Sequence, residues 1–95
     1  MTHFTYILRC SDSSYYVGHT DDLAQRVTWH NQGHGSTWTA KRRPVTLVYS
    51  EPHATEAESV QRERQIKRWS RAKKEALING DEAALKRLSR RRTQF

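Results

Sequence analysis

The chain has 95 residues, a length that suits one domain with a modest core and excludes two independently stable units. Its 17 Lys and Arg against 10 Asp and Glu give a formal net charge of +7, as expected of a protein that binds polyanions. No apolar run approaches the roughly 20 residues that cross a bilayer, and no signal-peptide pattern begins the sequence. We therefore expect a cytoplasmic protein that does not bind membranes.

The first two strands are predicted to form a β-hairpin. Residues 3–10 and 15–17 are rich in β-branched and aromatic side chains, and a polar turn over 11–14 separates them. Pairing about a turn centred near residue 11 places Tyr6 and Tyr16 opposite each other on one face. Two phenols would then share a surface.

A helix is predicted to follow the hairpin. A polar residue at 20–22 can cap it, and it ends near 31–33. On this helix Arg26 and His30 are four residues apart, so they point the same way. Residues 33–43 lack periodicity and are predicted to form a loop.

The second half of the chain predicts one more strand and then helices. Residues 45–49 form a strand by composition, and the Glu-Pro pair at 51–52 ends it. A capping box at Thr55 begins a helix that extends to about residue 69. Shorter helices are predicted at 72–78 and from 82 to about 88.

The longer of these helices places an acidic residue on its inward side. Steps of three residues align Ala57, Val60, Ile66 and Trp69, and the missing member of the row is Glu63. A carboxylate therefore occupies a position where the pattern predicts an apolar side chain.

The order of elements predicts an α/β protein of the α+β type. A short turn makes the first two strands antiparallel, which favours a small three-stranded antiparallel sheet flanked by helices. The predicted order is β-β-α-β-α-α with a possible further C-terminal helix. We predict one domain over residues 1–90 and a basic, frayed tail over 91–95.

Basic residues concentrate late in the chain, which indicates a nucleic-acid partner. Residues 62–92 hold twelve basic and four acidic side chains. Counterion release from a phosphate backbone would drive binding, and a solvated helix surface is the alternative. The predicted nucleic-acid-binding residues are Lys41, Arg42, Arg43, Lys67, Arg68, Arg71, Lys73 and Lys74.

Four side chains could serve phosphodiester hydrolysis, which needs a cation, a proton acceptor and fixed positive charge. Glu63 can ligate Mg²⁺ or Mn²⁺ together with water and a substrate phosphate. Arg26 offers a bidentate fork for phosphate. A structural role remains open for each: packing for Tyr6 and Tyr16, a salt bridge to Asp22 for Arg26, and an arginine partner for Glu63.

The spacing of these residues resembles a known signature. Tyr16-Val17-Gly18 matches the second half of the GIY-YIG motif, with Tyr6 ten residues earlier and Arg26 eight residues after Gly18, followed by His30. Together with the basic segment 62–74, the chain resembles the GIY-YIG endonuclease superfamily. It is most similar to the short, single-domain bacterial members related to the N-terminal domain of the bacterial excinuclease.

The resemblance implies an endonuclease that cuts DNA. Because the domain is too small to carry its own sequence-reading module, structure-selective or single-strand cutting is favoured over restriction-like recognition. It implies one divalent metal at Glu63, Arg26 on the phosphate and a tyrosine general base. We favour Tyr6 as the base, with Tyr16 orienting water or phosphate and His30 assisting by a hydrogen bond. The first triplet departs from the motif, since it reads Phe-Thr-Tyr over residues 4–6.

Two other functions remain open at this stage. The chain could bind nucleic acid without cutting it, using its basic helices and Trp38 or Trp69 as stacking surfaces. It could also be a protein-interaction domain of a repair complex. Asn79 is the candidate for an asparagine found late in the family, and the sequence does not indicate an oligomeric state.

Overall fold

One antiparallel sheet organises the computed structural model, which describes residues 1–90. Its strands are β1 (His3–Arg9), β2 (Tyr15–Thr20) and β3 (Thr46–His53), in the order β2-β1-β3. The helices are α1 (Leu23–Asn31), α2 (Thr37–Ala40), α3 (Glu56–Lys67), α4 (Arg71–Asn79) and α5 (Glu82–Arg90). The predicted α+β class and three-stranded antiparallel sheet are confirmed. The tail predicted over 91–95 lies outside the described residues.

The β1–β2 hairpin has a register two residues away from the predicted one. Tyr6 pairs with Gly18, and Leu8 pairs with Tyr16. The turn is therefore centred near residue 12, closed by the Cys10 amide that donates to the Ser14 carbonyl at 2.8 Å. The prediction that Tyr6 and Tyr16 are directly opposite is wrong. They still share a face, because side chains alternate with a period of two and the register differs by two.

The segment between α1 and β3 contains a helical turn that the loop prediction missed. α2 begins where the Ser36 side chain accepts a hydrogen bond from the Thr39 amide. A single turn is too short to show helical periodicity, so the sequence pattern gave no sign of it. The α1 prediction is confirmed, with Asp22 as the residue whose side chain caps it.

β3 is longer than predicted, because it continues through Pro52 to His53. Proline removes one backbone donor, which an edge strand tolerates and a central strand does not. β3 is an edge strand, so the Glu-Pro pair does not end it.

α3 starts as predicted but buries a different row. Its capping box at Thr55 is present, and the helix ends at Lys67, before Trp69. Ile66 is buried and Ala57 is exposed, whereas the sequence placed both on one inward row. Steps of three residues fall short of the 3.6-residue turn, so such a row drifts around the helix.

The last two helices, α4 and α5, were both predicted from the sequence. Gly80, with φ of 68°, ends α4. The Asp81 side chain accepts from the Ala84 amide at the start of α5. None of the helices within residues 1–90 is long and apolar enough to cross a membrane.

Helices pack on both faces of the sheet. On one face, Tyr6 and Leu8 form a core with Val45, and the α1 residues Leu23 and Val27 pack against it. On the other face, Ile7 and Val17 pack against Ile66 of α3, and α4 adds Leu77 and Ile78. α1 and α3 therefore lie on opposite sides of the strands that carry the two tyrosines.

Candidate active site

A buried hydrogen bond joins Tyr6 to His30 at the centre of the predicted cluster. The Tyr6 Oη lies 3.0 Å from His30 Nε2, and the two residues are 2% and 1% exposed. Gly18, paired with Tyr6 across the hairpin, makes room for the phenol. A Cβ added at Gly18 would lie 2.6 Å from Tyr6 Oη. The glycine of the motif is thus a packing requirement of the tyrosine.

The other nitrogen of His30 is held by the loop that follows α1. Thr39 Oγ1 lies 2.9 Å from His30 Nδ1, and the Thr39 hydroxyl donates to the Ser36 carbonyl at 3.3 Å. We assign the tautomer with the proton on Nδ1, because Thr39 then accepts it. Nε2 keeps its lone pair and accepts from the Tyr6 hydroxyl.

The backbone at Gly35, in the loop before α2, packs against the His30 ring. A Cβ at this position would lie 1.8 Å from His30 Nδ1, so the backbone passes directly against the ring. Sequence analysis missed both Thr39 and Gly35 as partners of His30, because a non-periodic segment does not reveal which of its residues fold back. The Gly-His-Gly run at 33–35 was the available signal, since glycine often marks close backbone approach.

Tyr16 completes an aromatic cluster and keeps its hydroxyl available. Its ring centroid lies 5.0 Å from His30 and 6.5 Å from Tyr6, and it stacks on Trp38 at 6.3 Å. Tyr16 is half-buried, and within residues 1–90 its hydroxyl makes no hydrogen bond. This phenol can therefore meet a ligand, whereas the Tyr6 phenol is already engaged.

Arg26 lies against an exposed aromatic ring instead of pairing with Asp22. Its guanidinium carbon is 4.6 Å from the centroid of Trp29, whose surface is 38% exposed. Asp22 is occupied as the α1 cap, where it accepts from the Gln25 amide. A shallow cavity of about 210 Å³ is lined by Gln25, Arg26 and Trp29. The guanidinium keeps donors available for an anion.

Glu63 approaches from α3, and its carboxylate contacts two side chains, His19 and Lys67. Its Oε1 lies 2.5 Å from His19 Nδ1, and its Oε2 lies 2.6 Å from Lys67 Nζ. The side chain is 14% exposed. Burial raises the pKa of the Glu63 carboxyl, but the hydrogen bonds from Lys67 and His19 outweigh it and leave the pKa below its ordinary value. The structural alternative left open for Glu63 was an arginine partner, and neither His19 nor Lys67 was predicted as its partner.

The pKa values of Tyr6 and His30 are shifted by burial and by neighbouring charged or ionisable side chains. Burial raises the pKa of Tyr6; the nearby Tyr16 adds to the rise, Arg26 opposes it, and Glu63 raises it further. Burial also lowers the pKa of His30, and the Arg26 charge lowers it again. The charges of Arg26 and Glu63 therefore both reach the Tyr6 phenol, although their helices pack on opposite faces of the sheet.

The donor set suits a hard cation held mainly by its substrate. Residues 1–90 contain no group of three or more His, Cys, Asp or Glu side chains that could enclose a metal ion. Glu63 supplies one carboxylate, which fits Mg²⁺ or Mn²⁺ when water and phosphate oxygens provide the remaining ligands. Lys67 is about half exposed, so its ammonium can leave Oε2 for such an ion.

Three of the predicted nucleic-acid-binding residues follow directly after α2. Arg42 lies 4.1 Å from the Trp38 centroid and pairs with Asp12 at 3.1 Å. Arg43 donates to the Ala40 carbonyl, and Lys41 is exposed at the end of α2. Arg42 therefore borders the aromatic cluster, because Trp38 also stacks on Tyr16.

The predicted cations of α3 and α4 have several different environments. Lys67 pairs with Glu63, and Arg71 pairs with Glu75 at 3.2 Å. Lys73 lies 4.2 Å from the Trp69 ring, burial lowers the pKa of Lys74, and Arg68 is exposed. Asn79 is exposed at the end of α4.

Comparison with known proteins identifies the family. The GIY-YIG catalytic domain matches residues 2–76. The chain belongs to the GIY-YIG family. This is a nuclease family, and its nucleases act on nucleic acid, which agrees with the predicted partner.

Small bacterial proteins are the relatives of this GIY-YIG domain. A UPF0213 protein of Staphylococcus aureus is 48% identical over 77 residues, covering 81% of this chain and 94% of its own. A UPF0213 protein of Bacillus pumilus is 46% identical over 76 residues, covering 80% of this chain and 78% of its own.

Two solved structures share the fold of this GIY-YIG domain. The solution structure of a UPF0213 protein from Bacillus halodurans has a TM-score of 0.54 at 38% identity, covering 83% of this chain and 84% of that one. A solution structure from E. faecalis has a TM-score of 0.59 at 35% identity, covering 87% and 88%. The predicted resemblance to small GIY-YIG proteins is confirmed.

Proposed function

We propose that the chain is a divalent-metal-dependent endonuclease that hydrolyses phosphodiester bonds of DNA. The observation that carries this proposal is the 3.0 Å hydrogen bond from Tyr6 to His30, in a cluster that the charges of Arg26 and Glu63 both reach. A phenol bonded to a neutral imidazole has a proton acceptor built in. Fixed positive charge beside it is what a phosphate transition state requires.

The raised pKa of Tyr6 favours a proton relay over a standing phenolate. As water attacks phosphorus, it gives a proton to Tyr6 Oη, and Tyr6 passes its own proton to His30 Nε2. The bond between phosphorus and the 3′ oxygen breaks, and that oxygen takes a proton from solvent. The products carry 5′-phosphate and 3′-hydroxyl ends. His30 then releases the proton to solvent, because its lowered pKa disfavours the charged ring, and the neutral Tyr6–His30 pair is restored.

The remaining residues would bind and orient the substrate. Arg26 offers two donors to a phosphate oxygen pair, and the free hydroxyl of Tyr16 orients water or phosphate. Glu63 would hold a divalent cation, which when bound neutralises charge that develops on the phosphate.

Exposed aromatic rings beside the cluster favour a single-stranded or branched substrate. Trp29 and Trp38 are each 38% exposed and each contacts an arginine. Unpaired bases can stack on such rings, whereas bases within a duplex cannot reach them. Structure- or single-strand-selective cutting is therefore the proposed specificity.

Labelled single-stranded, duplex and branched DNA, incubated with Mg²⁺ or Mn²⁺, tests the proposal. We expect cutting that EDTA stops and that Glu63→Gln abolishes. The pair Tyr6→Phe and Tyr16→Phe separates the two phenols: loss of proton transfer in Tyr6→Phe is expected to lower kcat most. If only Tyr16→Phe abolishes cutting, Tyr16 is the base. If the wild-type protein cuts none of the substrates, the endonuclease proposal fails.

One observation favours a second function, binding of nucleic acid without cleavage. Both carboxylate oxygens of Glu63 already contact protein side chains, one the His19 ring and the other the Lys67 ammonium, as in a structural polar cluster. The non-catalytic function predicts salt-sensitive DNA binding, no cutting with any divalent metal, and a loss of stability in Glu63→Gln that metal does not affect. Metal-dependent thermal stabilisation of the wild type, absent in Glu63→Gln, would exclude it.

A further inference from the structure

A second basic surface lies along α3, outside the proposed catalytic cluster. We use that name for the group Tyr6, Tyr16, Arg26, His30 and Glu63. A groove of about 1050 Å³ runs between the end of β3, the outer face of α3, and residues of α4 and α5. Its lining includes Arg62, Arg64, Arg68, Trp69 and Lys73. The proposed catalytic side chains lie elsewhere.

Two arginines in this groove lack a counter-charge from the part of the chain that the structure describes. Arg64 and Arg68 are exposed and stand one helical turn apart on α3. Among residues 1–90, no carboxylate pairs with either of them. Like charges at this spacing destabilise a helix slightly, so the pair is unfavourable unless an anion bridges it.

The neighbouring charges do not cancel this excess. Glu58 is the acidic residue of the lining, and its carboxylate accepts from the Ala54 and Thr55 amides in the capping box of α3. Arg62 is paired with Glu51 at 2.9 Å, so its charge is already balanced. The uncompensated positive charge of the groove therefore comes from Arg64 and Arg68.

The Trp69 side chain forms an aromatic wall beside these arginines. Arg62 lies 5.1 Å and Lys73 4.2 Å from the centroid of Trp69. Trp69 is half-buried, since it also packs on the core beneath α3. The groove thus places an aromatic side chain that packs on the core beside two guanidinium groups, whose planar donors match phosphate oxygens.

We propose that this groove binds the phosphates of a single nucleic-acid strand, as a second contact separate from the catalytic cluster. The inference rests on the proposed function only for the kind of polymer. A strand held at both places would be positioned by the groove and cut at the cluster. Arg64 and Arg68 would raise the affinity for long strands without taking part in the chemistry.

Binding of a long fluorescent oligothymidylate, measured by anisotropy in EDTA across a range of salt, tests the groove without any cleavage. Each cation that contacts a single strand adds about 0.7 to the slope of log K against log salt, so R64A/R68A should flatten that slope by about 1.4. The control K86A/R87A removes two exposed cations of α5 that do not line the groove. It should leave the slope close to that of wild type.

A charge-preserving variant and a small substrate separate the possible failures. R64K/R68K should keep the wild-type slope, which shows that charge and not folding is measured. If R64A/R68A keeps the wild-type slope, or K86A/R87A flattens it equally, the groove proposal is wrong. Cleavage of the small substrate bis-p-nitrophenyl phosphate should be unchanged in the control K86A/R87A, while KM for the long strand should rise in R64A/R68A. A flattened slope in a protein that cuts nothing would refute the endonuclease alone.

Discussion

Replacing Gly18 by alanine tests whether the motif glycine positions the phenol. The added methyl would lie 2.6 Å from Oη and 2.7 Å from Cζ of Tyr6. Carbon contacts settle at roughly 3.5–4.0 Å, so the ring or the strand must move by about 1 Å. Tyr6 cannot yield freely, because it lies in the core and its hydroxyl is bonded to His30.

The expected loss of stability is large for a single methyl group. Overpacking of this kind costs about 1–3 kcal/mol. Weakening the buried bond to His30 adds about 1 kcal/mol. The free energy of unfolding should fall by about 2–4 kcal/mol, which lowers Tm by roughly 10–30 °C in a domain of this size.

Gly80→Ala is the matched control for this substitution. A Cβ at Gly80 meets nothing within 4 Å, although its φ of 68° disfavours a side chain. Its cost should stay near about 1 kcal/mol. Thermal unfolding followed by circular dichroism compares the two, and DNA cutting is measured where both are folded. If Gly18→Ala unfolds at or above the temperature of Gly80→Ala, the packing argument is refuted.

Three further predictions concern the polar contacts of the cluster. Tyr6→Phe leaves His30 Nε2 without its donor, so urea unfolding should show a loss of about 1–3 kcal/mol; an unchanged value would mean that water replaces the hydroxyl. Because the pKa of His30 is lowered in the folded protein, its contribution to stability is complete above about pH 6.5 and is lost as pH falls toward the folded pKa. The free energy of unfolding should therefore be lower at about pH 5 than at about pH 7, and His30→Gln should reduce that difference. His19→Ala removes one of the two hydrogen bonds that lower the pKa of the Glu63 carboxyl, so that pKa, followed by carbon-13 NMR, should rise; a constant pKa would show that Lys67 alone lowers it.

Local patterns in the sequence predict most of the fold. Strand composition, the cap residue before α1 and the capping box at Thr55 each depend on a few adjacent residues, and the structure contains all of them. The predictions were wrong where contacts between residues far apart in the sequence determine the structure. β3 passes through Pro52 because it is an edge strand, and a sequence does not show which strands lie at an edge.

Less of the candidate site than of the fold can be predicted from the sequence. Tyr6, Arg26 and His30 follow from motif spacing, but the partners that orient them do not. Thr39 reaches His30 only because Ser36 starts a single helical turn, and His19 reaches Glu63 only because α3 crosses the sheet beside β2. Such contacts depend on the packing of whole elements, which residue spacing does not encode.

The proline in β3 also bears on how one copy of the chain meets another. Because Pro52 has no amide hydrogen, it offers one donor fewer than any other residue of this edge strand. Natural sheets discourage edge-to-edge pairing by interrupting the row of backbone donors on an edge strand, and a proline is one such interruption. We therefore expect Pro52, which in the sequence resembles a strand breaker, to disfavour pairing of the β3 edges of two copies of the chain.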